Sequence, residues 1–252
     1  MTEKKKAICI EIWMKIRTLL IIFILKLHTQ LSYCEGSDGL VDQNDTSFPR
    51  VVDLGGGKYD FGGVLIDQKL KRLSFDAVCN QTSGLVEYAL VHQSGKLHES
   101  LFSTKIPPRW IHACLVLLKA KPLGARFLSP AFKSQQMEDK MPEYQVNAKV
   151  SWEENESNIT REIFELVFNQ LSERTLEARP FLFTGSRTIE GNYMAGVEGS
   201  ILAIYHDRNA IINSLDPESI SDDSWVVFHG KMPPLDKRVR FYIQVLAGER
   251  SL

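Results

Sequence analysis

The chain has 252 residues, 44% of them hydrophobic and 24% charged, with 30 lysines and arginines against 31 aspartates and glutamates for a formal net charge of −1. That apolar content supports one large globular domain or two small ones and excludes a natively unfolded chain. The charge balance excludes a sequence-wide field of the kind that gathers nucleic acid or an anionic membrane surface.

Lys4, Lys5, Lys6, Lys15 and Arg17 precede the apolar run Leu19 to Leu25, and a more polar stretch follows through Gln30 and Ser32. Basic, apolar and polar segments in that order are the layout of a secretory signal peptide, which we expect over residues 1–34. Its apolar core is shorter than the ~20 residues of a membrane span, so no transmembrane segment is expected in the mature protein. Met14 followed by Lys15 makes a more conventional start than Met1. Cys34 follows Leu31-Ser32-Tyr33, and Tyr33 is too large for the small-residue position before a lipid-modified cysteine. Cleavage near Cys34 to Ser37 is therefore favoured over a lipid anchor at Cys34.

Residues 35–50 are polar and carry Gly36, Gly39 and Pro49, which reads as a flexible tether. The domain, residues 51–252, opens with strand-like runs between Tyr59 and Ser103, Gly62-Gly63 marking a bulge or sharp bend. The last two runs, either side of Ser94-Gly95, are predicted to form an antiparallel β-hairpin with a two-residue turn. Pro107 and Pro108 then suit the first turn of a helix reaching about Lys119, with Thr104 as a cap a little upstream and Ile111, Leu115 and Leu118 at helical spacing. Residues 124–143 read as an irregular, partly exposed loop. Beyond it, strands are expected at Tyr144 to Trp152, Pro180 to Thr184, Ile201 to Tyr205, Trp225 to His229 and Val239 to Val245. A short helix over Arg208 to Asn213 fits Asp207 as its cap, and the segment running to Leu171 has no clear type. Strands in runs rather than in alternation with helices predict a strand-rich α+β fold, with antiparallel or mixed sheets and one prominent helix after the hairpin. The chain reads either as two subdomains meeting near residues 120–145 or as one continuous sheet system.

In the hairpin register, His98 lies opposite Val91 and Glu99 opposite Leu90. One face then carries Val86, Tyr88, Leu90, Leu97, Leu101 and Glu99; the other carries Leu85, Glu87, Ala89, His98 and Phe102. A carboxylate on the greasier face must be paired or protonated, so Glu99 is expected to be buried and bonded, to backbone or to Arg109, or else to act as a base or metal ligand. If the helix packs across the hairpin, His98 and His112 converge with Glu87 or Glu99 on a set suited to a divalent metal such as zinc or iron. No HExxH or other short ligand motif accompanies them, and a histidine on an apolar helix is more often a satisfied core residue. Cys79 and Cys114, the cysteines well inside the domain, match no zinc or redox motif and stand either as a disulfide or as two separate buried thiols.

Gly185, Gly191, Gly196 and Gly199, with Thr184, Ser186, Arg187 and Glu198, invite a phosphate-loop reading, but neither GxxxxGK[ST] nor GxGxxG is present. The glycines fit turns better, and Ser186 in TGSR is not the GxSxG elbow of hydrolases. Trp110, Trp152 and Trp225 are read as core residues rather than sugar-stacking platforms.

Gly84 to Lys119 (GLVEYALVHQSGKLHESLFSTKIPPRWIHACLVLLK) and Phe183 to Asn213 (FTGSRTIEGNYMAGVEGSILAIYHDRNAIIN) together resemble the YdjY-like family of exported bacterial proteins. The resemblance runs from about Ser74 to the C-terminus and takes in Glu87, His98, Glu99, His112, Thr184, Gly185, Ser186, Glu198 and Gly199. It implies export to the periplasm, the cell surface or the medium, and carries no catalytic assignment. The function expected is a ligand- or partner-binding domain with its site in the His98/Glu99/His112 region; the alternative is a metal-assisted or His/Glu acid–base hydrolase on the same residues.

Overall fold

The computed structural model describes residues 48–124, 128 and 142–246. The expected leader, Cys34, most of the tether and most of the 124–143 loop lie outside the described residues.

An antiparallel meander opens the domain: β1 (Val51–Gly55), β2 (Lys58–Phe61), β3 (Val64–Asp67) and β4 (Arg72–Cys79). Gly62 and Gly63 are a tight hairpin turn rather than a bulge, with φ of 61° and 90° between the paired residues Phe61 and Val64. Positive φ at both central residues is what a two-residue turn between twisted strands requires, and glycine supplies it without a Cβ clash.

The predicted hairpin is not formed. β5 (Tyr88–His92) and β6 (Ser100–Thr104) pair in parallel, Leu90 opposite Phe102 and Val91 opposite Ser103. A primed two-residue turn needs positive φ, and neither Ser94 nor Gly95 has it. Residues 93–99 instead double back as a return arm that ends in a 3-10 turn at Leu97–Glu99 and leaves Leu97 and His98 exposed. The two expected faces also disappear, because every residue from Tyr88 to Val91 is buried.

The helix α1 (Pro108–Leu117) starts where the prolines place it, turning Ile111, Cys114 and Leu115 inward. Thr104 does not cap it; its hydroxyl donates to the Asp76 carbonyl and accepts from the Ile106 N–H. β7 (Gln145–Glu154) and β8 (Ser157–Glu162) form a hairpin through Asn155 and Glu156, both at positive φ. The segment of open type thus supplies β8 and, after a 3-10 turn, β9 (Val167–Asn169). The chain continues through β10 (Arg174–Thr175), β11 (Phe181–Phe183), β12 (Thr188–Ile189), β13 (Asn192–Tyr193), α2 (Met194–Glu198) and β14 (Ser200–Ala203). β15 (Ile212–Asn213), β16 (Trp225–Val227) and β17 (Arg238–Val245) complete it. The helix expected over 208–213 is a turn: Asp207 Oδ1 accepts from the Asn209 N–H at 2.8 Å, and the chain then extends into β15. An Asx turn of this kind uses the same side-chain acceptor as a helix cap, without a helix following.

Eight strands close on themselves in the order β4-β17-β7-β11-β15-β14-β5-β6, the pairing of Val78 and Cys79 with Ser103 and Phe102 returning the ring to β4. Long strands make closure possible. The first residues of β4 pair with β3 and its last with β6, while β7 pairs with β11 at its start and with β8 beyond it. The sheet is mixed, since β5–β6 and β14–β15 are parallel. An eight-stranded barrel is wide enough for side chains to fill. Phe75, Phe102 and Phe241, none of them exposed, meet in the core, the Phe75 and Phe241 rings stacked at 5.7 Å.

Cys79 and Cys114 stand as separate buried thiols. Burial pushes the Cys79 thiol up to about 11, and that of Cys114 is raised by burial as well. Trp225 is fully buried, Trp152 donates to Glu154, and Trp110 packs edge-on against Phe61. No helix among the described residues is long and apolar enough to cross a membrane.

Candidate functional site

Glu87 and Glu99 are brought together, by a route the sequence did not show. The return arm lays residues 96–99 beside β5, so that the Glu87 N–H donates to the Glu99 carbonyl at 2.9 Å. Lys96 Nζ then lies 3.3 Å from Glu87 Oε2 and 3.7 Å from Glu99 Oε2, and 5.3 Å from the centre of the Tyr88 ring. Burial raises the Glu87 pKa above 4.5, Lys96 works against that rise, and the Glu99 carboxylate adds to it. Glu99 has a charge partner, Lys96 rather than Arg109, but with its side chain 31% exposed it is only partly buried, not enclosed on an apolar face as the hairpin register implied. His98, with a side chain 80% exposed, touches only the outer edge of the group through Glu99 Oε1 at 3.4 Å.

His112 faces a different neighbourhood. α1 points it at the loop after β11, where its ring meets Phe183 edge-on at 5.1 Å and its Nδ1 lies 2.9 Å from the Tyr193 hydroxyl. That hydroxyl also donates to the Gly185 carbonyl at 3.3 Å. With the phenolic proton directed there, the bond to His112 is made by Nδ1–H, and the neutral ring keeps Nε2 as an acceptor. Burial pushes the His112 pKa below 6.5, with the Gly185 carbonyl opposing. Among the described residues no three His, Cys, Asp or Glu side chains gather where they could hold a metal ion, so the His98/Glu99/His112 set expected from the sequence does not form.

Two clefts flank this histidine. One, about 560 Å³, is lined by His112, Pro122, Leu123, Tyr144, Thr184 and Ser186 among others. The second, about 440 Å³, is lined by Arg109, His112, Ser186, Arg187, Thr188 and Tyr193 among others. His112, Gly185 and Ser186 belong to both. Any side chain at Gly185 would be strained: its φ is 84°, and a Cβ there would sit 2.5 Å from Pro122 Cβ and 3.3 Å from His112 Cε1.

The remaining sequence candidates converge on the loop 207–213. Thr184, 2% exposed, donates to the carbonyls of Ala210 and Ile211 and accepts from Asn213 Nδ2. Ser186, held at φ 63°, donates to the Asn209 carbonyl at 2.6 Å and accepts from the Ala195 N–H. Arg187 Nε donates to Asn209 Oδ1 at 2.7 Å, and Asn209 Nδ2 donates to Glu198 Oε1 at 2.6 Å. Glu198 thus fixes the frame, while Thr184, Ser186 and Arg187 also line a cleft. The Glu87 group reaches the same loop from the other side, through Tyr88, whose hydroxyl lies 3.0 Å from that of Tyr205 and donates to Asp207 Oδ2 at 3.1 Å.

Arg109, Tyr144 and Tyr193 were not singled out as site residues from the sequence. Arg109 and Ala113 had a signal, since with His112 they share one helical stripe beside the apolar one. Tyr144 and Tyr193 had none, because only the fold carries them to His112. Comparison with protein-family models, with curated proteins and with solved structures finds no match.

Proposed function

We propose that the chain is an exported domain that binds a small ligand in the two clefts around His112. The supporting observation is their common wall: two concave surfaces share an imidazole, a hydroxyl and a glycine where any side chain would be strained. Their size is that of ordinary small-molecule sites, with a few polar groups among apolar walls. Export is supported by the order of charge, apolarity and polarity in residues 1–34 and by the YdjY-like resemblance. The test is a ligand-observed NMR screen of a fragment library against the wild type and Ala113→Trp, which fills one cleft without removing a polar group. Fragments that bind the wild type and are lost from the variant support the reading; hits indifferent to the substitution, or no hits, contradict it.

A second reading, acid–base hydrolysis, is favoured by the raised pKa of Glu87 beside Glu99. Raised carboxylates mark general acids as well as structural pairs. If Glu87 is a working acid, Glu87→Gln abolishes hydrolysis of whichever ester or amide substrate the protein cleaves. If it is structural, the same change alters only stability. Because the folded pKa exceeds the unfolded one, wild-type stability falls as pH rises through 4.5 toward the folded value, and Glu87→Gln removes that loss.

A further inference from the structure

We infer that the paired clefts take a small organic acid, with its anionic group held between Arg109 and Arg187 and an apolar body lying toward Leu123 and Tyr144; this rests on the reading of the clefts as a binding site. Both arginines line the same cleft, and no aspartate or glutamate is among the described residues lining either one. Among the described residues neither arginine makes an ion pair, although the chain as a whole carries 31 acidic side chains against 30 basic ones. Two guanidinium groups on one concave wall without a carboxylate leave a local positive potential that an anion relieves.

Each arginine is also held in place. Arg187 is anchored through Nε on Asn209, which is itself fixed by Glu198, and no described side chain bonds its terminal nitrogens. Arg109 lies against the Tyr193 ring, its Cζ 5.9 Å from the ring centre. A fork whose entropy has already been lost binds a planar oxyanion at lower cost than a free one, and guanidinium bonds to carboxylate or phosphate are among the stronger hydrogen bonds. The hydroxyl of Thr188 adds a donor on the same wall, while that of Ser186 is already directed to the Asn209 carbonyl. The adjoining cleft differs in character: Pro122, Leu123 and Tyr144 offer apolar surface, which inorganic phosphate alone would leave uncovered.

The experiment is a calorimetric titration of the purified protein with sodium 3-phenylpropionate, its uncharged amide 3-phenylpropionamide, and inorganic phosphate. It is repeated on Arg109→Gln and Arg187→Gln. The acid is expected to bind saturably, the amide and phosphate about tenfold or more weaker, and each arginine variant to weaken the acid by about tenfold while leaving the amide unchanged. An amide that binds as tightly as the acid, or an acid indifferent to both substitutions, overturns the anionic ligand and leaves the binding site standing. Phosphate binding as tightly as the acid overturns the apolar body. Absence of binding by all three probes overturns both this inference and the binding site it rests on.

Discussion

The Nδ1 of His112 and the hydroxyl of Tyr193 meet at 2.9 Å, joining the first turns of α1 to the β12–β13 hairpin across 81 residues of sequence. The bond sets the wall from which both clefts open. Tyr193→Phe removes it and leaves the ring in place, so a loss of about 1 kcal/mol is expected in urea unfolding.

The same histidine sets a pH dependence. Burial holds its pKa below 6.5, so the unfolded chain takes up the proton first. Its contribution to stability is complete above 6.5 and declines as the pH drops through that value toward the folded pKa. His92 acts with the same sign, its pKa also lowered by burial. Unfolding curves between about pH 7 and 5 should show the wild type losing stability and His112→Asn losing less. Equal slopes would mean that the imidazole is as well solvated folded as unfolded.

Gly62 and Gly56 have nearly equal φ, 61° and 64°, but a Cβ on Gly62 would lie 2.4 Å from Trp110 Cζ3 and 2.8 Å from Pro49, whereas one on Gly56 meets nothing within 4 Å. Both alanine variants bear the left-handed backbone cost of about 1–2 kcal/mol. Gly62→Ala should lose about 1–3 kcal/mol more through overpacking. Equal midpoint shifts in denaturant would show that Trp110 moves aside freely.

Arg174 and Asp216 form a two-pronged pair at 2.7 and 2.8 Å, with the Asp216 side chain 1% exposed and also accepting the N–H groups of Glu177 and Glu218. Burial alone would raise the Asp216 pKa, and the bonds from Arg174 and the backbone outweigh it, leaving the carboxyl below 3.8. Its stabilisation is present above 3.8 and is lost as pH falls through the folded value. Arg174→Met strands a buried carboxylate and should cost about 3–5 kcal/mol at neutral pH. A loss near zero would mean that the backbone donors suffice without the arginine.

How much of this was legible in the sequence follows from which interactions are local. β4, α1, β7 and β17 announce themselves by apolar spacing and by prolines, because their cores and ends are set within a few residues. The β5–β6 pair did not, since Ser94-Gly95 looks like a hairpin turn in composition while its φ values are those of an ordinary bend. A strand buried on both faces also carries no alternation from which to read a register. Asp207 has the chemistry of a cap, yet the turn it closes leads into β15 because Asn213 takes the Asp207 N–H at 2.7 Å and draws the chain back. For the site, Glu87 and Glu99 were each singled out, but the hairpin register set them on opposite faces, and only the return arm brings them together. His112 was found without its partner Tyr193, which only the fold brings near.

The most direct measurement is the histidine imidazole NMR spectrum of the protein titrated with sodium 3-phenylpropionate. His112 lines both clefts, and His98, 80% exposed in the return arm, serves as the internal comparison. A saturable shift of the His112 signal, with that of His98 unmoved, is the predicted result. A saturable shift of His98 with His112 unmoved would contradict the account and return the site to the β5–β6 arm.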